Sequence, residues 1–455
     1  MKRIGLLKGI WLCKKFTNAD SAKRAVIQKQ RLSEIVQYAK NNSPYYHELY
    51  HNIGDKFELS DLPPVNKVTL MENFDQWVTD HNVHLEDLYK FMENKDNIGR
   101  KFMGKYFVFT TSGSTGNPLV SIVNKTSNNM MTAINVLRAF VRKEDLNSFI
   151  KHGGKTIGVF ATGGFYLGNS SVRARLLSMP WKKKQIGVTS ALLPIPKIVE
   201  ELNQFKPSMF GGYPSILELF IEEQISGRLH INPVIIMTGG EYLSEDLRTH
   251  LADTFHCYVQ TSYSCTEGGT VACECSEHHF HINEDWLIIE PVDKDNNLVE
   301  DGVLSDKILL TNLFNYSQPY IRYEVTDRIV MHHEKCSCGN PSQWLTIEGR
   351  TDDVVSFSKN GKEIKVAPLA IYPVLKEVHS IRRFQVLVYP DNKIYLRIIP
   401  TLGFTKKEAF ENARLALSDF LATHSIHSAT ILLDEEEPKQ HDKSGKFKHI
   451  INCCK

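Results

Sequence analysis

Residues Thr110–Pro118, Thr-Thr-Ser-Gly-Ser-Thr-Gly-Asn-Pro, crowd hydroxyls and two glycines between two apolar runs. Glycine lets a backbone approach a ligand closely, and hydroxyls with free N–H groups are donors suited to phosphate oxygens. Thr111, Ser112, Gly113, Ser114, Thr115 and Gly116 are therefore candidate phosphate contacts, with a polar hairpin loop as the plain alternative. The segment is not a Walker loop, because Asn117 and Pro118 stand where Gly-Lys-Ser/Thr would follow, and it lacks the G-x-G-x-x-G spacing. Further along, Gly239, Gly240 and Glu241 close an apolar run, and Tyr263, Thr266 and Glu267 close the next. Tyr263 suits stacking on a base, Thr266 donation to a phosphate, and Glu267 the carboxylate ligation that Mg²⁺ favours. Asp327 can accept from ribose hydroxyls, with Arg350 donating beside it. Any one of these segments could be an ordinary turn. Together they fall where strands of an α/β sheet end and ligands bind.

A second constellation is built from sulfur and imidazole. Two Cys-x-Cys pairs, Cys273/Cys275 and Cys336/Cys338, stand near a run of histidines. Cys275, His281, Cys336 and Cys338 make a Cys₃His set suited to tetrahedral structural zinc, with Cys273, His278 and His279 in reserve. Buried free thiols are the alternative.

The elements that must position these residues follow from periodicity. Between Lys105 and Tyr263, strand-like runs (KYFVFT, TIGVFAT, QIGVTSALL, VIIMTGG, CYVQTSY) alternate with helical ones (SNNMMTAINVLRAF, IPKIVEELNQF, PSILELFIEEQ, LSEDLRTHLADTF). This alternation predicts an α/β fold with helices covering a sheet. Ahead of it, Leu32, Ile35, Val36 and Ala39 mark one face of a helix that stops near Asn41–Pro44. Residues 276–350 read as strand-rich and polar. Beyond Arg350 a hairpin around Pro390–Asn392, an amphipathic helix (TKKEAFENARLALSDFLATH) and one more strand (SATILLD) predict a small α+β unit.

Bulk numbers set the outer limits. The 455 residues, 42% hydrophobic, suffice for two or three domains with real cores. A net charge of +2 is close to neutral, so composition gives no push towards nucleic acid or an anionic membrane surface. No apolar run approaches the roughly 20 residues of a membrane span. The opening MKRIGLLKGIWLCKK is interrupted by Lys8 and reads as an amphipathic helix rather than a signal peptide. Nine cysteines, four of them in tight pairs, point to metal binding in a reducing compartment, so a cytoplasmic location is expected.

The ordered series of hydroxyl loop, Gly-Gly-Glu, Tyr-x-x-Thr-Glu, Asp and Gly-Arg-x-Asp-Asp resembles the adenylate-forming enzyme superfamily. More closely it is similar to the phenylacetate–CoA ligase-like branch, through SPYYHELY, GYPSILELF, LHINPVIIMTGGEYLS, LLTNLFNYSQPYIRYEVTD, CSCGNP and GRTDD, in that order along nearly the whole chain. The resemblance implies a large amino-terminal domain, residues 1–350, binding ATP and the acid. A zinc-stapled part would lie at about 270–340, and a small mobile α+β domain would follow at 351–455. It implies phosphate contacts from Ser112 to Gly116, Tyr263 on the adenine face, Thr266 near the α-phosphate and Mg²⁺ on Glu267. Asp327 and Arg350 would bind ribose, and Asp352 would be the hinge. Lys446, after Gly445 in a charged tail, matches the lysine that serves the adenylation step. The lysine that the wider superfamily often carries just after the loop's proline is here Leu119.

The activity so implied is ATP-dependent conversion of a carboxylic acid to an acyl-adenylate, followed by transfer to the thiol of coenzyme A. Two other readings stand beside it: transfer to an amine or carrier-protein thiol, and a non-catalytic zinc-containing binding protein. Nucleic acid is not expected as a partner, since HHEKCSCGNPSQW around the second cysteine pair holds one lysine and one glutamate. Phe160, Tyr166 and Tyr213 could line an apolar acid pocket, and at their spacing they could equally be core.

Overall fold

The computed structural model describes the chain apart from residues 1–3, 112–117, 351–352, 360–361, 367, 443–445 and 454–455. Five predicted phosphate contacts, Ser112, Gly113, Ser114, Thr115 and Gly116, and the predicted hinge Asp352 lie outside the described residues. Contacts divide the chain into two compact units. One holds residues 1–325 and 330–346; the other holds 326–329, 347–442 and 446–455.

The first unit is built on parallel strands. Tyr258–Cys265, Ile235–Gly239, Met209–Gly212, Thr156–Phe160 and Ile186–Ser190 lie side by side in that order, every pair parallel. Beyond Tyr258–Cys265 the antiparallel strands Gly269–Glu274 and Phe280–Ile282 extend the sheet. Helices connect the parallel strands because their apolar residues recur at helical spacing. In Ile195–Phe205, for example, Ile198, Val199 and Leu202 are the buried positions. They join Phe210, Ile216, Phe220, Ile236, Leu251 and Phe255 in one core.

All five strands and four helices read from the alternating stretch are present. Three elements inside it were not read from the sequence: the helices Lys143–Lys151 and Leu167–Ser178, and the strand Met209–Gly212. The strand was hidden by its glycines, which depress strand propensity. Here the sheet requires one of them, since a Cβ on Gly211 would stand 2.5 Å from the Met237 carbonyl oxygen.

A small antiparallel sheet of Lys101–Phe102, Tyr106–Thr110 and Val120–Asn124 carries the hydroxyl loop between its last two strands. Asn124 then caps the helix Lys125–Arg138, its Oδ1 accepting from the N–H groups of Thr126 and Ser127. The helix Leu6–Thr17 packs on that helix, with Gly9 against Met130 and Ala133.

The second unit has its own core. Strands Thr430–Leu433, Lys393–Pro400, Ile381–Tyr389 and Ile450–Asn452 form a sheet in that order. Helix Lys406–Thr423 covers it with Ala409, Ala413, Leu417 and Leu421, and begins with a reciprocal cap between Thr405 and Glu408. The predicted hairpin turn is present, with Asp391 and Asn392 both at positive φ. These residue types tolerate that region. Asn392 also exchanges two 2.7 Å hydrogen bonds with the backbone of Ser358, tying the turn to the neighbouring strand.

Candidate functional site

Parallel strands present all their outgoing connections at one edge, and most of the predicted residues of the first unit stand there. Phe160 ends one strand, Tyr213 follows the next, Gly239, Gly240 and Glu241 end the third, and Tyr263 lies near the end of the fourth. Gly240 is at φ +80°, a conformation that favours glycine. It turns the chain so that Glu241 Oε2 accepts from Ser215 N at 3.0 Å, within the first turn of helix Pro214–Ile225. A carboxylate at a helix amino terminus is stabilised by the unsatisfied N–H groups there. Glu241 thus has a structural bond that its sequence context did not announce.

The aromatic trio is brought together. Phe160 and Tyr213 meet edge to face with ring centroids 6.0 Å apart. Burial pushes the Tyr213 hydroxyl up to about 12, and it also feels the charge of Glu241 and the neighbouring Tyr166. Tyr213 belongs to the main core, while Phe160 packs against that core half-buried, so the trio is partly wall and partly support.

The base of the hydroxyl loop is pinched shut. Thr111 N donates to Leu119 O at 3.1 Å, and Leu119 N donates to Thr111 Oγ1 at 2.9 Å. Thr110 N donates to Phe165 O at 2.9 Å, tying the loop's base to the segment that holds Tyr166. Thr266 and Glu267 form the tight turn between strands Tyr258–Cys265 and Gly269–Glu274. Glu267 is only 9% exposed. Its carboxylate takes a hydrogen bond from Tyr323, whose hydroxyl is raised by burial first and then by the Glu267 charge. Asn312 Nδ2 holds the Glu267 carbonyl at 2.8 Å. Tyr323 is a partner that sequence reasoning missed, because it comes from a separate sheet. A single buried carboxylate, part of its lone-pair capacity already used, fits Mg²⁺, which binds through one or two carboxylates plus substrate phosphates.

In the second unit, Asp327 and Arg350 meet as expected from their chemistry. Arg350 Nε lies 3.2 Å from Asp327 Oδ1, and its guanidinium donates to Thr326 Oγ1 at 2.7 Å. Thr326 was not foreseen. Lys446 also belongs to this unit, its carbonyl accepting from His441 N at 2.9 Å.

The sulfur and imidazole atoms of Cys275, His281, Cys336 and Cys338 all lie within 4.8 Å of one another. Cys275 Sγ and Cys336 Sγ are 3.7 Å apart, and Cys338 Sγ is 3.3 Å from His281 Nε2. A tetrahedron with metal–sulfur distances of about 2.3 Å has edges of about 3.8 Å, so the donor set fits zinc in number, type and spacing. The surroundings prepare it. His281 Nδ1 bonds the Ser342 carbonyl at 2.8 Å, which leaves Nε2 as the free lone pair facing the sulfurs. Ser342 is in turn held by Arg24, which also pairs with Glu284 at 2.6 Å. Burial raises the Cys275 thiol and pushes Cys338 up to about 12. The reserve residues lie elsewhere or alongside. Cys273 sits among Arg138, Asn283 and Asp285, His278 stacks on Tyr258, and His279 stacks on Trp344 at 3.8 Å with Nδ1 near Cys336.

With this geometry, the molecule has the fold of the adenylate-forming CoA ligases, a large α/β unit followed by a small α+β unit. It superposes on 2-hydroxyisobutyryl-CoA ligase in its postadenylation state with a TM-score of 0.69 and 18% identity, covering 96% of this chain and 91% of that one. In sequence the chain is similar to phenylacetate-coenzyme A ligase of Thermus thermophilus, 24% identical over 382 residues, which is 80% of this chain and 78% of that enzyme. It is also similar to Protein CapK of Staphylococcus aureus, 21% identical over 321 residues, 68% of this chain and 63% of CapK's length. No protein-family model matches the chain.

Proposed function

We propose that this chain is an ATP-dependent acid–CoA ligase. A carboxylate oxygen of the substrate attacks the α-phosphorus of ATP, the bond to the bridging oxygen breaks, and pyrophosphate leaves. The thiol sulfur of coenzyme A then attacks the acyl carbon, and AMP departs. What supports this reading most is the carboxyl edge of the parallel strands, where Tyr213, Glu241, Tyr263 and Glu267 end or follow successive strands. Edges of this kind are where α/β sheets bind nucleotides.

Each residue has a task that its chemistry allows. Ser112 to Gly116 offer donors to the phosphates, and the Thr111–Leu119 bonds fix the loop's ends. Gly239 and Gly240 keep the backbone low beside the nucleotide. Tyr263 lies against adenine, Thr266 donates near the α-phosphate, and Asp327 accepts from ribose with Arg350 beside it. Phe160, Tyr166 and Tyr213 wall the acid's side. Lys446 supplies positive charge in the first half-reaction, when a carboxylate and a phosphate approach each other. Bound Mg²⁺, held by Glu267, would offset phosphate charge. Zinc on Cys275, His281, Cys336 and Cys338 would be structural, since four protein ligands complete its shell. In this scheme residues 1–350 bind ATP and acid and residues 351–455 are the mobile domain that hinges at Asp352, although by contacts the Asp327–Arg350 pair already groups with the second unit.

The test is pyrophosphate release across a panel of carboxylic acids, with and without coenzyme A. Acid-dependent release, with thioester formed only when coenzyme A is present, is the expected result. Acyl transfer to an added amine in place of coenzyme A would move the chain to the other acceptor class. No release with any acid would count against adenylation.

A further inference from the structure

The parallel strands have a second edge. Every incoming connection of a parallel sheet arrives at the amino ends of the strands, so residues just ahead of neighbouring strands share that edge. Strands Met209–Gly212, Thr156–Phe160 and Ile186–Ser190 are neighbours in that order. Ahead of them come Lys206, Lys151, and the run Lys182, Lys183, Lys184; all are exposed except half-buried Lys182. The charge is one-sided along the sequence as well. From residue 146 to residue 199 there is no aspartate or glutamate, while eight lysines and arginines occur. The flanking carboxylates are already held, Asp145 by Arg142 at 2.6 Å and Glu200 by Lys197 at 3.1 Å. Among the described residues, none of the three consecutive lysines forms an ion pair.

Two apolar side chains protrude beside them. Trp181 is 73% exposed and Leu177 52%. Trp181 sits on an ordered turn, with Lys182 N bonded to Met179 O at 2.9 Å and Gln185 N to Lys182 O at 2.8 Å. Strand Ile186–Ser190 is at the end of its sheet, and lysines near an edge strand guard against pairing with another chain. That role accounts for lysines alone. It gives no reason to expose an indole and a leucine next to them.

We propose that this edge docks on the surface of an anionic lipid bilayer. An indole settles at headgroup depth, a leucine beneath it, and lysines reach lipid phosphates on flexible stems. Nucleic acid fits less well, because the run is lysine and offers no arginine forks for base edges. The candidate site gathers at the opposite, carboxyl edge of the same sheet, away from the docked edge.

The test is sedimentation of the full chain with phosphatidylcholine vesicles, and with vesicles in which part of that lipid is replaced by phosphatidylglycerol. Binding to the anionic vesicles alone, reversed by salt, is expected. The triple variant Lys182→Gln, Lys183→Gln, Lys184→Gln should bind about a hundredfold more weakly. Leu177→Ser with Trp181→Ser should lose about tenfold or more. Both variants should unfold at the wild-type temperature, because the changed side chains are largely exposed. Equal binding to both vesicle types, no binding, or wild-type affinity in the triple variant overturns the proposal. Self-association without lipid that these variants abolish would assign the face to a second copy of the chain instead.

Discussion

Glu267→Gln isolates one charge. The carboxamide keeps the size of the side chain and still offers an oxygen to the Tyr323 hydroxyl, and the 2.8 Å bond from Asn312 to the Glu267 carbonyl involves backbone only. The turn should therefore fold as before. What disappears is a unit of negative charge, 9% exposed, at the carboxyl edge of the sheet. At about 4 Å and an effective dielectric of about 20, a carboxylate attracts one unit of positive charge by about 4 kcal/mol. Counting one net unit for a metal ion shared with phosphate oxygens, the variant should lose about three orders of magnitude in rate. The assay is acid-dependent pyrophosphate release titrated with Mg²⁺, beside a thermal melt that should be unchanged. Wild-type turnover over the same Mg²⁺ range would remove Glu267 from the reaction. Loss of activity together with a lowered melting temperature would show the Tyr323 contact to be structural instead.

Protein purified without added zinc should carry about one metal atom per chain, bound through thiolates. Cys338→Ser should empty the site, and well-folded wild-type protein without metal would return Cys275, Cys336 and Cys338 to ordinary buried thiols. Lys446→Ala should abolish acid-dependent pyrophosphate release yet still convert a supplied acyl-adenylate to product. Equal loss of both half-reactions would indicate a structural role, and no loss would mean that Lys446 serves neither.

What the sequence could reveal depended on how far apart the interacting groups are along the chain. Leu32, Ile35, Val36 and Ala39 were legible as one helix face because helical geometry repeats locally, and all four are buried. The five strands that lead into or build the sheet were legible for the same reason. Met209–Gly212 was not, since the need for Gly211 is set by Met237 on the neighbouring strand. The cysteine pairs were visible by spacing, yet the choice of His281 over His279 turns on the Ser342 carbonyl, 61 residues away. The contact of Tyr323 with Glu267, and the cap that Glu241 places on the helix at Ser215, are likewise relations between elements. Each residue type was in view, but no local pattern names its partner.

Averages conceal position in the same way. A net charge of +2 gives no push towards an anionic surface when taken over the whole chain. Screening makes electrostatic docking a local matter, however, because charges separated by more than about 10 Å at ordinary ionic strength hardly feel one another. The quantity that matters is the charge within that radius of a surface point. Along the chain no acidic residue falls within 35 positions before Lys182, Lys183 and Lys184 or 15 after them, and the carboxylates that bound this stretch, Asp145 and Glu200, are already paired. The topology of a parallel sheet then adds Lys151 and Lys206 from neighbouring connections to the same edge. A nearly neutral chain can in this way present a strongly basic edge, and its behaviour towards lipid follows from that edge rather than from the total.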